Sequence, residues 1–318
     1  MDAKLSQRIS ISMASERDFI ESLKGLAQHP AARGLNDDCA VLTGVEGSLV
    51  VTHDMIGEGV HFLPESDPAD IGWRLVAVNL SDLASSGAKP LGVLMGYSLS
   101  GDATWDARFV EGLQAALQQF DVPLLGGDTV RLSAGAQRSM GLTAIGLAPA
   151  GGAPSRSGAK AGDALWVTGT IGDAGAGLAL AERGMTEPLS LLSAHNRPAP
   201  HLAEGQALAP FVHAMMDVSD GLLVDARRMA DASGIAIEIA LDAVPLSDDF
   251  VRVRGDTAEA RIWAATAGDD YQLLFALGEG ETLPVAATLV GRCTEGQGLS
   301  LCFAGADYPL PDTLGYQH

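Results

Sequence analysis

The sequence predicts an α+β protein made of two α/β-type domains, each a mixed sheet with packed helices. Three observations carry that expectation. The chain has 318 residues, a length suited to about two domains. Strand-like and helix-like runs are interleaved in both halves. Between the halves lies APAGGAPSRSGAKAGD, residues 148–163, whose Gly, Ala, Pro and Ser content reads as a boundary. The expected division is an extension over 1–14, a first domain over 15–149 and a second over 150–318. There is no fixed-period repeat, and the order of strands in the sheets is not legible.

The elements follow in order. SERD, behind Met13, reads as a capping box, which makes Met13 a candidate natural start. From Ser15 to about Leu26 the chain reads as a helix with Phe19, Leu23 and Leu26 on one face. SLVVTHD (48–54) is a strand signal. Asp67 and Pro68 are an N-cap and first helical residue, and the segment to Gly87 is apolar on most sides, hence buried. Runs at 92–99, 122–125 and 139–147 read as strands. A helix between the first two carries Phe109, Leu113, Leu117 and Phe120. Beyond the boundary, ALWVTGTIGDAGAGLAL reads as strand, glycine turn and helix. MMDVSDGLLVDARRMADASG reads as short strand, tight loop and helix, closed by Gly234. IAIEIAL, DYQLLFAL and VAATLVGRC are further strands.

Composition narrows the function. Apolar residues make up 47%, and the net charge is −20, from 40 acids against 20 bases. Nucleic acid and anionic membrane are therefore not expected as partners, and an anionic substrate must come with metal ions or meet a local basic cluster. Cys39, Cys293 and Cys302 are odd in number and lack metal-ligand spacing, which points to a reducing compartment. Residues 1–14 show no apolar signal core, and no run reaches the ~18 apolar residues of a membrane span. The expected location is the cytoplasm.

Aspartates recur at apolar places: Asp37-Asp38 in NDDCAVL, Asp54 in VTHD, Asp82 in NLSD, Asp128 in LLGGDTVR, Asp217 and Asp220 in DVSDG, and Asp269-Asp270 in AGDDY. Singly, each has a plain reading as a turn, a cap or an exposed helix residue. Together they are too many for the scarce bases to neutralise, and buried carboxylates are costly unless paired. Divalent metal is the natural neutraliser, and all-oxygen ligation suits Mg2+. Glycine before Asp128 would let backbone and phosphate approach. Asn79, Asp82 and Ser86 fall on one helical stripe that could face such a site, or equally a neighbouring loop. Arg131, Arg156 and Lys160 near glycines suit phosphate. VTGTIGDAGAG is neither a Walker A loop nor G-x-G-x-x-G. His53 and His61 lack the zinc spacing, no G-x-S-x-G elbow is present, and Cys39 reads as a small buried residue.

NDDCAVL, THD…GVHF, DPADIGWRLVAVNLSDLASSGAKP, LGGDTVR, RSGAKAGDALWVTGTIGD, DVSDGLLVDA and GDDYQLLF follow one another in an order that resembles the thiamine-monophosphate kinases, from about Ser15 to the C-terminus. NLSDLA, GGDT and SDGL are shared with the wider aminoimidazole ribonucleotide synthetase-like superfamily. The resemblance implies transfer of the ATP γ-phosphate to thiamine monophosphate by metal-assisted in-line displacement, in a homodimer with several Mg2+ ions. It further implies Asp38, Thr52, Asp54, Asp82, Asp128, Asp217 and Asp220 as metal ligands, and Gly127, Arg156 and Ser219 as ATP contacts. His61, Asp269 and Tyr316 would contact substrate, with no residue acting as general base. His53 stands where Ser or Thr is usual, Asp269 replaces Glu, and Thr313-Leu314 stand where an aromatic is common. The alternatives are another ATP-using member of the superfamily, or a non-catalytic regulator that binds nucleotide or metal.

Overall fold

The structure is a computed structural model that describes residues 16–35, 40, 42–133 and 135–316. Of the residues singled out above, Met13, Ser15, Asp37, Asp38 and Cys39 lie outside the described residues. In chain order the elements are α1 (Glu16–Lys24), β1 (Leu49–Gly57), α2 (Pro68–Ser85), β2 (Lys89–Leu99), α3 (Ala103–Gln119), β3 (Leu124–Arg131) and β4 (Ser139–Leu147). Then come β5 (Asp163–Val167), α4 (Asp173–Ala181), α5 (Leu189–Asn196), α6 (Leu202–Leu208), β6 (Ala214–Asp217), α7 (Leu222–Ser233) and β7 (Ala236–Ala240). The chain closes with α8 (Asp248–Arg254), α9 (Ala258–Ala267), β8 (Leu273–Gly278), β9 (Thr288–Thr294), β10 (Gly298–Phe303) and β11 (Ala306–Tyr308). One sheet has the order β1-β4-β2-β3 and the other β11-β10-β7-β9-β5-β8-β6. By contacts the chain forms two compact units: Met1–Val45, Met55–Leu75 and Gly92–Leu142, and Glu46–Asp54, Val76–Leu91 and Thr143–His318.

In the first unit an aromatic core forms where Tyr97 stacks on Phe19 at 4.4 Å and meets Phe109 at 4.8 Å. The Tyr97 hydroxyl donates to the buried Asp106 at 2.8 Å. α2 and α3 cross backbone against backbone. A Cβ added at Gly112 would lie 1.8 Å from the Ala69 carbonyl oxygen, and one at Gly72 would lie 2.3 Å from that of Phe109. Asp67 caps α2 as expected, accepting the Ala69 N–H at 3.0 Å.

The second unit packs α7 on its sheet and α9 against α7 and α4, with Leu222, Leu223, Ala226, Met229, Ala264 and Ala265 all fully buried. β7 and β10 run parallel, while β5–β8, β5–β9, β6–β8 and β7–β9 are antiparallel. Gly234 closes α7 in the left-handed conformation (φ 69°), the C-cap expected from the sequence. α6 seats against the end of α2 because Gly205 has no side chain: a Cβ there would lie 2.0 Å from the Ala84 carbonyl oxygen.

Two expected strand bounds are corrected: the strands read over 48–54 and 122–125 run on past Asp54 and Asp128. β1 continues to Gly57, and β3 runs from Leu124 through Gly126-Gly127-Asp128 to Arg131. The parallel partner β2 keeps pairing past the glycines, with Met95 opposite Gly127, Gly96 opposite Asp128 and Leu99 opposite Arg131. A Cβ on Gly127 would lie 2.0 Å from the Met95 carbonyl oxygen. The neighbouring strand therefore demands this glycine, whatever else approaches it.

Candidate active site

Within the second unit, β1 and α2 bring the first group of polar side chains together. Alternation along β1 places Thr52 and Asp54 on one face, partly buried, and His53 on the other, where its Nδ1 lies 2.9 Å from the Thr143 hydroxyl. Asn79 Oδ1 accepts the Asp54 N–H at 2.8 Å. One helical turn on, Asp82 accepts the Thr52 hydroxyl. Between them Ser81 donates to Asp217 Oδ2 at 2.6 Å, tying α2 to the end of β6. Two members of the expected stripe, Asn79 and Asp82, thus meet β1. Ser86 joins Asp82 through its backbone N–H at 3.2 Å, as part of the helix end.

The electrostatics of this group are those of carboxylates short of cations. Burial raises the Asp82 carboxyl, the Thr52 hydrogen bond opposes that, the charge of Asp54 adds to it and Arg156 opposes it. Arg156 is therefore within electrostatic reach of Asp82. Asp217 is pushed up to about 7, chiefly by burial, with the charge of Asp82 adding and the Ser81 hydrogen bond opposing.

The loop 217–221 carries the second group. Two other segments fix its backbone. The Asp269 N–H donates to the Ser219 carbonyl at 2.7 Å, the Tyr271 N–H to Val218 at 2.8 Å, and the Tyr316 N–H to Asp220 at 2.9 Å. Gly315 makes the last contact possible, since a Cβ there would lie 2.4 Å from the Asp220 carbonyl oxygen. Asp269 and Tyr271 both take positive φ, 63° and 50°. Between them Asp270 is anchored: both its carboxylate oxygens accept the Gly172 N–H at 2.9 Å, at the start of α4. Burial first of all raises Asp270 well above the usual carboxylate range. The Tyr271 hydroxyl donates to Asp269 Oδ1 at 3.1 Å.

Sequence reasoning missed Ser81, Asp225 and Arg228. Asp225 is fully buried on the first turn of α7, and its Oδ2 accepts the N–H groups of Ser219 (3.0 Å) and Asp220 (3.1 Å). Burial pushes its carboxyl up to about 6, against the pull of Arg228. Arg228 Nη1 donates to Asp220 Oδ2 at 2.6 Å and to Asp225 Oδ1 at 2.8 Å. The available signal was a carboxylate among Leu222, Leu223 and Ala226, on the buried face of a helix.

His61, Gly127 and Asp128 belong to the first unit. His61 Nδ1 accepts the Gly57 N–H at 3.1 Å. Asp128 is exposed on β3 and accepts the N–H of Thr129 at 2.9 Å.

The second unit's donor set is hydroxyl and carboxylate oxygen throughout: Thr52, Asp54, Asp82, Asp217 and Asp220. That set fits Mg2+, and the raised carboxyls mark places where a cation would relieve repulsion. Among the described residues, no three acidic, histidine or cysteine side chains converge closely enough to hold an ion by themselves. Mg2+ commonly takes one or two carboxylates and completes its shell with phosphate oxygens and water, and the arrangement fits that habit.

The chain is similar to known proteins over most of its length. The family models described as AIR synthase related protein match residues 36–148 with the N-terminal domain and 160–302 with the C-terminal domain. The thiamine-monophosphate kinase of Salmonella typhimurium is 41% identical over 253 residues, covering 77% of this chain and 76% of the relative. That of Escherichia coli K12 is 37% identical over 305 residues, covering 90% and 91%. A crystal structure of the Stenotrophomonas maltophilia thiamine-monophosphate kinase superposes with a TM-score of 0.74 at 35% identity, covering 88% of this chain and 95% of that one. AaThiL complexed with AMPPCP and TMP gives 0.75 at 28% identity, covering 98% and 100%.

Proposed function

The chain belongs to the thiamine-monophosphate kinase family, and from that premise we propose that it transfers the γ-phosphate of ATP to thiamine monophosphate, giving thiamine diphosphate and ADP. The observation that supports this chemistry is the gathering of Thr52, Asp54, Asp82 and Asp217 about one stretch of α2, with Arg156 in electrostatic reach.

The acceptor phosphate is already anionic at neutral pH, so no proton need be removed before it attacks. The obstacle is repulsion between two phosphates, and the proposed roles all address it. Asp54, Asp82, Asp217 and Asp220, with Thr52, would hold Mg2+, and Asp38 and Asp128 are assigned as metal ligands on the family resemblance. Bound there, Mg2+ would neutralise phosphate charge and align an in-line displacement. Gly127, Arg156 and Ser219 would meet ATP, the guanidinium of Arg156 taking phosphate oxygens in pairs. His61, Asp269 and Tyr316 would meet thiamine monophosphate, where the Asp269 carboxylate suits the cationic thiazolium.

We also propose a division near residue 150, supported by family matches that end at 148 and resume at 160. A homodimer is supported by one face of β1, where Leu49, Val51 and Met55 are 50%, 61% and 56% exposed. The demand for ATP supports a cytoplasmic location.

The test is mass-spectrometric detection of thiamine diphosphate from ATP and thiamine monophosphate. Turnover should need Mg2+ and cease in excess chelator. Free thiamine, whose hydroxyl must lose a proton, should be a poor acceptor. Full turnover in chelator would overturn the metal assignment, and equal rates with thiamine would overturn the account of the acceptor.

A further inference from the structure

We propose that Arg228 is a built-in counter-ion for Asp220 which an arriving metal ion must displace, so that Arg228 is a positioning residue setting how tightly Asp220 takes the metal. The inference rests on the reading of Asp220 as a metal ligand. It starts from an asymmetry between the two carboxylates that share Arg228 Nη1.

Asp225 is committed in full. One oxygen accepts the Ser219 and Asp220 N–H groups and the other accepts Arg228, all from a position with no solvent exposure. Asp220 is differently placed. Its backbone is fixed at the nitrogen by Asp225 and at the carbonyl by the Tyr316 N–H, so its side chain projects from a rigid base. Its side chain retains 18% exposure, and the Arg228 side chain that holds it retains 40%. The pair is thus open to solvent, and a cation at Asp220 competes with Arg228 for the same carboxylate. Two cations on one carboxylate repel each other, so the guanidinium must yield. Its bond to Asp225, on the same helix three residues away, keeps it beside the loop after release. The consequence is a stable loop geometry without metal, obtained at the expense of metal affinity.

The experiment is titration of nucleotide-free protein and of its AMPPCP complex with Mn2+, reading free Mn2+ by electron paramagnetic resonance. Arg228→Gln should bind Mn2+ about fivefold more tightly, the factor equivalent to the ~1 kcal/mol of a partly exposed ion pair. Arg228→Lys, which keeps a charge without the fork, should gain about twofold. In the Asp220→Asn background the Arg228→Gln gain should vanish. Unchanged or weaker binding in Arg228→Lys, or in a folded Arg228→Gln, would overturn the proposal, as would a gain that survives Asp220→Asn. Because the readout is metal occupancy, these outcomes are separate from failure of the kinase reading, which would appear as absent thiamine diphosphate.

Discussion

Replacing Asp217 by Asn should stabilise the metal-free protein while disabling the enzyme. Asp217 is buried on the last residue of β6 and its carboxyl is pushed up to about 7 from 3.8, first by desolvation and then by the charge of Asp82. A raised carboxyl means that the folded chain holds a proton the unfolded chain releases. Stability from this group is therefore complete below pH ~4 and is lost as pH rises to ~7. At about 1.4 kcal/mol per unit, the ionised carboxylate costs on the order of 4 kcal/mol at pH 8 and under half of that at pH 5. Asn has nearly the same size, carries no charge and still accepts the Ser81 hydroxyl. In chelator at pH 8, the variant should melt at least about 4 °C above the parent, by the scaling for chains of this size, and the gain should shrink by more than half at pH 5. With Mg2+ and an ATP analogue the order should reverse, because ligand stabilises the parent more. Thiamine diphosphate formation should fall at least about a hundredfold, the ~3 kcal/mol of a lost electrostatic contact to the transition state. The checks are melting by circular dichroism at both pH values and a turnover assay. A variant less stable than the parent at pH 8, or equally active, would refute the reasoning.

Two further predictions concern the four-stranded sheet. Asp128→Asn should leave the melting temperature within a few degrees of the parent and lower turnover at least about a hundredfold if Asp128 takes metal; near-parental turnover at ordinary Mg2+ would make it a strand residue and nothing more. Sedimentation at micromolar concentration should give twice the chain mass, and Leu49→Asp/Val51→Asp should shift the protein toward a single chain; a parent that sediments as one chain would refute the homodimer.

Much of the fold was legible because its signals are local. Asp67-Pro68 opens α2, Gly234 closes α7, and the spacing of Phe109, Leu113 and Leu117 marks α3 as a helix with all three buried or nearly so. The register of β3 was not legible. Two glycines and an aspartate look like a turn until Met95 is seen pressing its backbone onto Gly127, and that contact comes from another strand. The site divides along the same line. Asp82, Asp217 and Asp220 are conspicuous as acids in apolar surroundings. Ser81, Asp225 and Arg228 act through partners that sequence does not align: Ser81 reaches Asp217 across 136 residues. Asp225 works by accepting backbone N–H groups, which any residue supplies, so no motif advertises it.

The partners of these carboxylates also explain how an acidic site stays folded between encounters with substrate. Thr52 and Ser81 offer neutral hydroxyls to Asp82 and Asp217, and Arg228 offers a charge to Asp220. A hydroxyl satisfies a lone pair but cancels no charge, which is why Asp82 and Asp217 remain raised although each has a hydrogen bond. The compensation thus supplies hydrogen bonds and leaves the charge uncancelled. A hydroxyl can also turn away at the cost of one rotamer change and then serve as an oxygen ligand itself, the role proposed for Thr52. Had Arg residues filled all three positions, the protein would gain little stability, since ion pairs here must repay desolvation. It would also meet each metal ion with a cation already seated. Neutral donors at Asp82 and Asp217, and a guanidinium at Asp220, leave charge that the proposed divalent ion would use.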